Sequence, residues 1–280
     1  MIESMCSFDL SDNDFSCFSS FIYDKCGISI SSGKKELIKA RLGKRLRELS
    51  LKNFKDYYSY LINDSSGKEI VEFINAISTN LTSFFREEKH FDFLIKEALP
   101  SIIAKNRNQL IKVWSAGCSS GEEAYSIAIS LNEYSENVLP LNTKVLATDI
   151  STKVLQKAMD GIYGTSQIAK IPSNILRKYF QKGQGQWDGC FRVKENLKQN
   201  ISFRRFNLMD TFPFNEKFNF IFCRNVMIYF DKEIQERLVN KFYNCLNDNG
   251  FLFVGHSESL MGLNHKYKYI KPAVYFKSLS

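Results

Sequence analysis

From Trp114 to Tyr125 the chain reads Trp-Ser-Ala-Gly-Cys-Ser-Ser-Gly-Glu-Glu-Ala-Tyr, a loop of small residues that opens onto two adjacent carboxylates. Small side chains in Ala116-Gly117-Cys118-Ser119-Ser120-Gly121 let the backbone approach a ligand closely, and glycine tolerates dihedrals that other residues avoid. The loop lacks the G-x-G-x-x-G spacing of a dinucleotide site. Glu122 and Glu123 stand where a pyrophosphate would need free helix N–H groups, and a carboxylate pair repels phosphate. The pair suits a cationic ligand, while one of the two complements the helix dipole. Further on, Asp149 closes a second strand-like run that starts at Lys144. A carboxylate there is placed to accept both hydroxyls of a ribose. The competing role for Asp149 is to cap the next helix, for which Ser151 is also available.

A ribose-bearing ligand that carries positive charge and no phosphate satisfies both demands. S-adenosylmethionine, with its ammonium and sulfonium groups, is such a ligand, and a methyltransferase is the expectation.

Those residues need a scaffold. Ile111–Ala116 reads as a short strand, followed by a helix from Glu122 to about Tyr134 with Tyr125, Ala128, Ile129 and Asn132 in register. Later strands fit 201–206, 218–223 and 250–255, with a helix over 232–246. Strands alternating with helices predict a largely parallel sheet covered on both faces. Upstream, the first ~105 residues read as helix after helix. Ser11 and Asp12 stand at the start of a segment running to about Cys26. Ile38, Leu42, Leu46 and Leu49 share one helical face, with Lys39, Arg41, Lys44 and Arg47 over much of the other. Further helical patterns cover 53–63, 68–78 and 87–105. The predicted organisation is a helical domain at 1–105 and an α/β domain at 106–280. Between Gly161 and Asn200 the alternation breaks. There the glycine-punctuated turn Gly183–Gly189 separates Leu176–Phe180 from Cys190–Val193, which predicts a small hairpin-based insertion at about 161–200.

Composition excludes several classes. No apolar run approaches the roughly 20 residues of a membrane span, and Met1-Ile2-Glu3-Ser4 lacks a signal-peptide pattern, so a cytoplasmic protein is expected. Cysteines 6, 17, 26, 118, 190, 223 and 245 form no Cys-x-x-Cys pair, which argues against zinc and disulfide frameworks. Histidines 90, 256 and 265 are scattered, and no metal is expected. A net charge of +8 fits either a basic proteome or an acidic partner.

Four stretches carry a resemblance. They are Thr79-Asn80-Leu81-Thr82-Ser83-Phe84-Phe85-Arg86-Glu87, Trp114–Tyr125, Ile221-Phe222-Cys223-Arg224-Asn225-Val226-Met227-Ile228-Tyr229-Phe230-Asp231, and Gly250-Phe251-Leu252-Phe253-Val254-Gly255-His256-Ser257-Glu258-Ser259. Together they resemble the chemotaxis receptor methyltransferases, the CheR family, from the N-terminal helices almost to the end. The resemblance implies a class I S-adenosylmethionine-dependent methyltransferase domain, Rossmann-like and α/β. It also implies an all-helical N-terminal domain and a small inserted β-subdomain. The implied activity is glutamyl methyl-ester formation on chemoreceptor cytoplasmic helices, with S-adenosylhomocysteine as the spent cofactor. By motif position, cofactor contacts fall on Asn80, Thr82, Arg86, Glu123, Asp149, Asn207, Leu208, Arg224 and Asn225. Arg86 is implied to orient a carboxylate of substrate or cofactor, and Tyr229 to line the transfer channel or else to be a core aromatic. Cys118 departs from the alanine of many members, a change a small apolar side chain tolerates.

The chemistry asks for little beyond this. A substrate glutamate is already ionised at neutral pH, from a reference pKa of about 4.3, so no general base is required. The Asn/Asp-Pro-Pro-Tyr turn of many nitrogen methyltransferases is missing at Cys223-Arg224-Asn225-Val226, which counts against amide or amine substrates. The basic segment 34–47 would hold glutamate-rich receptor helices, although a solvated helix face explains the same charges. The turn at 183–189 resembles the version that docks a tethered receptor tail peptide by strand addition. Recruitment to membrane receptor arrays without membrane insertion follows from that resemblance. The rivals are an RNA or DNA methyltransferase, motivated by the charge and the 14% aromatic content, and a non-catalytic adapter that senses the cofactor. Against the first, the basic residues cluster on helices without an aromatic stacking pattern.

Overall fold

The computed structural model describes residues 8–104, 110–214 and 216–279. The expectations resting on Met1–Ser4, on Cys6 and on a boundary at 105/106 lie outside the described residues. Contacts divide the chain into two units: residues up to Thr79 together with Tyr229–Asp231, and Asn80–Ile228 together with the chain from Lys232 onward.

The first unit contains helices α1 (Asp12–Cys26), α2 (Lys35–Glu48), α3 (Phe54–Ile62) and α4 (Lys68–Ile77). Ser11 caps α1 as its residue type suggests, accepting the Asp14 amide, and Asn53 caps α3 by accepting the Asp56 amide. The stripe on α2 points inward as its spacing predicts. Ile38, Leu42 and Leu46 are buried, and Leu49, at the end, is half-buried. Phe18, Phe54, Tyr57 and Phe73 pack around one another to form the aromatic centre of this unit. An ion pair to a buried carboxylate ties its helices together. Arg45 on α2 donates to both carboxylate oxygens of Glu69 on α4, at 2.9 and 2.6 Å, and Tyr57 on α3 donates to Glu69 at 2.8 Å.

The second unit is built on strands β1 (Leu110–Ala116), β2 (Asn142–Asp149), β3 (Ile162–Gly164), β4 (Phe180–Lys182), β5 (Cys190–Val193), β6 (Ile201–Arg205), β7 (Phe218–Cys223), β8 (Leu246–Val254), β9 (Lys268–Lys271) and β10 (Val274–Phe276). Its helices are α5 (Lys89–Phe93), α6 (Leu99–Ile103), α7 (Glu122–Asn137), α8 (Thr152–Asp160), α9 (Thr165–Ile168), α10 (Ser173–Tyr179), α11 (Glu195–Lys198) and α12 (Lys232–Cys245). The main sheet runs β6-β2-β1-β7-β8-β10-β9. Its first five strands pair in parallel, as alternation predicts, whereas β10 and β9 add antiparallel. Every residue of β7 is buried, the pattern of a central parallel strand covered on both faces.

The contact division falls at Thr79/Asn80, and α5, the π-turn Leu94–Ala98 and α6 belong to the core of the sheet. Phe91, Phe93, Leu94, Leu99, Ile102 and Ile103 share one hydrophobic cluster with Ile111, Val113, Phe251 and Phe253. Periodicity identifies a helix but not the core it joins. In the insertion, Leu176–Tyr179 is helical, and of the strand expected over Leu176–Phe180 only Phe180 is extended, as the first residue of β4. A separate antiparallel sheet, β3-β5-β4, nevertheless forms there. No helix among the described residues is long and apolar enough to cross a membrane.

Candidate cofactor site

The order of the main sheet reverses at β1, with β2 and β6 on one side and β7 and β8 on the other. Loops leaving the carboxyl ends of strands beside such a reversal form a ligand crevice. Nine of the sequence-derived residues lie in this second unit, and five elements supply them. They are the segment before α5, the β1–α7 turn, the end of β2, and the loops after β6 and β7.

The β1–α7 turn needs its glycines. Gly117 has φ +92°, and a β-carbon there would lie 2.4 Å from Val226 Cγ2. Gly121 has φ +96°, and its β-carbon would lie 2.8 Å from that of Ala158. The turn is also tied down from within. The Gly117 and Cys118 amides both donate to the Thr148 carbonyl at 2.8 Å, and the Gly121 amide donates to the Cys118 carbonyl at 3.0 Å. The Ser119 amide donates to Asp149 Oδ2 at 2.8 Å. Amides spent in this way do not offer a phosphate cradle, in agreement with the missing dinucleotide spacing.

Asp149 is buried, at 8% exposure, and its other oxygen accepts the Ser151 amide at 2.9 Å. Ser151 caps α8 by accepting the Val154 amide, so Asp149 is not required for that cap. A carboxylate offers roughly four acceptor positions, more than the neighbouring amides take up. Burial pushes the Asp149 pKa up, while the amides of Ser151, Ser119 and Ile150 oppose the shift. A buried carboxylate with acceptor capacity remaining, beside a turn with no phosphate cradle, fits a ribose hydroxyl.

The acidic pair divides its labour. Glu122 accepts Ser120 Oγ at 2.7 Å and Gln167 Nε2 at 3.1 Å, so it braces the turn. Glu123 accepts Ser115 Oγ at 2.6 Å and Arg224 Nη1 at 3.0 Å. Burial raises the Glu123 pKa, and the Arg224 charge works against that. Arg224 follows β7 directly and its side chain is almost wholly buried. It also reaches Glu87 Oε2 through Nε and Nη2, at 3.3 and 3.1 Å, and donates to the Arg86 carbonyl. One guanidinium therefore joins the segment before α5 to the start of α7.

That segment is anchored at several further points. Ser119 Oγ donates to the Asn80 carbonyl at 3.0 Å, and the Phe85 amide to Ser126 Oγ at 2.9 Å. Phe85 and Glu87 take positive φ, +51° and +56°, so this backbone is held in a tight, irregular path. Arg86 Nη1 donates to the Leu81 carbonyl at 2.8 Å, which folds its side chain over the half-buried Thr82 stretch. Asn225, with φ +58°, donates its amide to Glu258 Oε2 at 2.8 Å. Beyond β6, Asn207 Oδ1 accepts the Met209 amide at 3.1 Å, and Leu208 is buried. Tyr229 is grouped with the helical unit, where its carbonyl accepts the Ser29 amide at 2.8 Å and Lys34 lies over its ring.

Two residues of this network received no role from sequence reasoning. Glu87 lies inside a recognised stretch, but its partner Arg224 is far away in sequence. Glu258 accepts the amides of Asn225, Ile228 and Gly255, which fixes the turn after β7 from the end of β8. The only local signal was a carboxylate following an apolar run.

Comparison with known proteins places this geometry. Residues 80–276 match the family model described as CheR methyltransferase, SAM binding domain, and residues 13–78 match CheR methyltransferase, all-alpha domain. A chemotaxis protein methyltransferase of Borreliella burgdorferi is 44% identical over 96% of each chain. Relatives of the same name from Salmonella typhimurium and Escherichia coli are 40% and 38% identical. Each match covers 95% of this chain, with 90% and 91% of the relative.

Proposed function

Since the chain belongs to the CheR methyltransferase family and contains its S-adenosylmethionine-binding domain, we propose that it methylates glutamate carboxylates of chemoreceptor cytoplasmic helices. The product would be a glutamyl methyl ester, formed during adaptation in chemotaxis. The observation that carries this reading is the buried Asp149 carboxylate, with acceptor capacity left at the reversal point of the sheet. It stands in a chain whose relatives are named chemotaxis protein methyltransferases.

When bound, S-adenosylmethionine supplies an electrophilic methyl group on a cationic sulfur. Asp149 would hold the ribose hydroxyls, and Asn80, Thr82, Arg86, Glu123, Asn207, Leu208, Arg224 and Asn225 would complete the cofactor contacts. Arg86 has guanidinium donors beyond the one given to Leu81, enough to orient a carboxylate. Tyr229 would line the path to the substrate. The substrate carboxylate is ionised at neutral pH, so the protein's work is alignment and the exclusion of water.

Two docking elements accompany the proposal. On α2 and just before it, Lys34, Lys44 and Arg47 are exposed and would face an acidic helix. Arg41 and Arg45 are already engaged with the Ile77 and Ser78 carbonyls and with Glu69, so the basic face is narrower than its composition suggests. A receptor tail peptide would add to β4, the edge strand of the small sheet, beside the exposed Trp187. The proposal is tested with tritiated cofactor, purified receptor domain and an Asp149→Ala control. Alkali-labile methanol released from wild-type reactions is the expected result, and label that withstands alkali would sink the ester reading. Unchanged tail-peptide binding after deletion of 183–189 would sink the strand-addition element alone.

A further inference from the structure

We infer that Glu87, His90 and His256 form a binding site for a divalent transition-metal ion of the zinc class. One ligand atom from each residue lies within 4.8 Å of the other two. His90 is 2% exposed, and neither of its ring nitrogens has a hydrogen-bond partner. A buried imidazole without partners is an unusual expense, and the ring faces a carboxylate and a second imidazole. Its Nδ1 lies 3.4 Å from Glu87 Oε2, and its centroid is 4.9 Å from that of His256.

The chemistry of the three groups selects the ion. Two imidazoles and one carboxylate suit zinc, cobalt or nickel better than magnesium or calcium, which prefer oxygen ligands. Glu87 is already oriented, because its Oε1 accepts the His256 amide at 3.1 Å. Such a bond fixes a ligating carboxylate. Arg224 is cationic, but it is shared with Glu123, so the two carboxylates leave one net negative charge for the metal. Zinc with nitrogen ligands at about 2.0–2.1 Å requires the donors to close up from 4.8 Å. His256 is exposed, which leaves its side chain room to make that movement and gives the ion a route from solvent. The ion would tie the segment before α5 to the turn after β8. Sequence gave no hint of it, since the two histidines lie far apart in the chain with no ligand-like spacing.

The test uses the full chain without an affinity tag, stripped with chelator and titrated with Co²⁺ and then Zn²⁺. One equivalent of Co²⁺ should bind with visible d–d absorption that Zn²⁺ displaces, and Zn²⁺ should raise the unfolding temperature. His256→Ala, at an exposed position, should keep the fold while weakening binding at least about tenfold. His90→Gln with an intact circular dichroism spectrum should do the same. Absence of a saturable one-equivalent site in the wild type would overturn the inference, as would equal affinity in both variants. None of these readouts depends on methyl transfer, so failure here leaves the proposed activity untouched.

Discussion

Each unit of this protein joins an arginine to carboxylates, and the two arginines serve different ends. In the helical unit Arg45 joins α2 to α4 through Glu69, with Tyr57 of α3 on the same carboxylate. All three groups lie on regular helices, and the cluster satisfies itself. In the sheet unit Arg224, just after β7, joins Glu87 in the irregular segment before α5 to Glu123 at the start of α7, with positive φ at Glu87 and Asn225. The chemistry is shared, and the place differs. Within helices the ion pair sets packing, whereas beside the reversal of a parallel sheet it borders the proposed cofactor site. What such a pair does depends on where the topology puts it.

The sharpest way to break this comparison is to remove both arginines in turn. Arg224→Met should cost about 3–5 kcal/mol, because two buried carboxylates lose their common partner. It should also abolish S-adenosylmethionine binding, read by urea unfolding and calorimetric titration. Arg45→Met should cost about 2–3 kcal/mol, less because Arg45 is partly exposed to solvent and screened. Cofactor affinity should be unchanged. If Arg45→Met weakened the cofactor as much as Arg224→Met, the distinction would fail.

Asp149→Ala should raise the cofactor dissociation constant tenfold to a hundredfold, from the loss of hydrogen bonds to a charged acceptor worth about 1.5–3 kcal/mol. Because burial raises the Asp149 pKa, wild-type affinity should fall with acid through a midpoint above the ordinary 3.8. A variant with a different ribose acceptor would not show that midpoint.

A smaller effect isolates the helical cluster. Tyr57→Phe should cost about 1 kcal/mol for its hydrogen bond to Glu69. Burial raises the Tyr57 pKa above its ordinary 10.0. Stability from this phenol is thus fully present below pH 10 and is lost as pH climbs from there towards the folded-state value. Denaturation midpoints measured above pH 10 should accordingly fall less steeply in Tyr57→Phe than in the wild type. The smallest stability change is expected for Lys44→Ala with Arg47→Ala, within about 0.5 kcal/mol. Their effect should instead be a higher KM for an acidic receptor domain, with kcat retained.

Much of this was legible before any fold was in hand, wherever the signal was local. The stripe Ile38-Leu42-Leu46 faces inward as its spacing requires. The small-residue turn ends β1 and precedes a helix that begins at Glu122, as read. Signals that require knowledge of the partner were lost. The helical pattern over 89–103 says nothing of which core it joins. Glu87, Glu258 and the pairing of His90 with His256 exist only through tertiary proximity. The β9–β10 hairpin escaped for a different reason: its turn is Pro272-Ala273, with Ala273 at φ +64°, and lacks the Asn-Gly or Asp-Gly chemistry that marks tight hairpins.

That hairpin has a consequence for biosynthesis. β10 pairs with β8, and Val274 belongs to the same cluster as Val113 and Phe222 in the middle of the sheet. Residues that leave the ribosome late thus complete a core begun more than 150 residues earlier. Loop closure over such distances is slow. The nascent sheet must wait with β8 uncovered on one edge, a template for pairing with other chains. Expression yield of a chain truncated before Lys268 would measure how much a chaperone must shield during that interval.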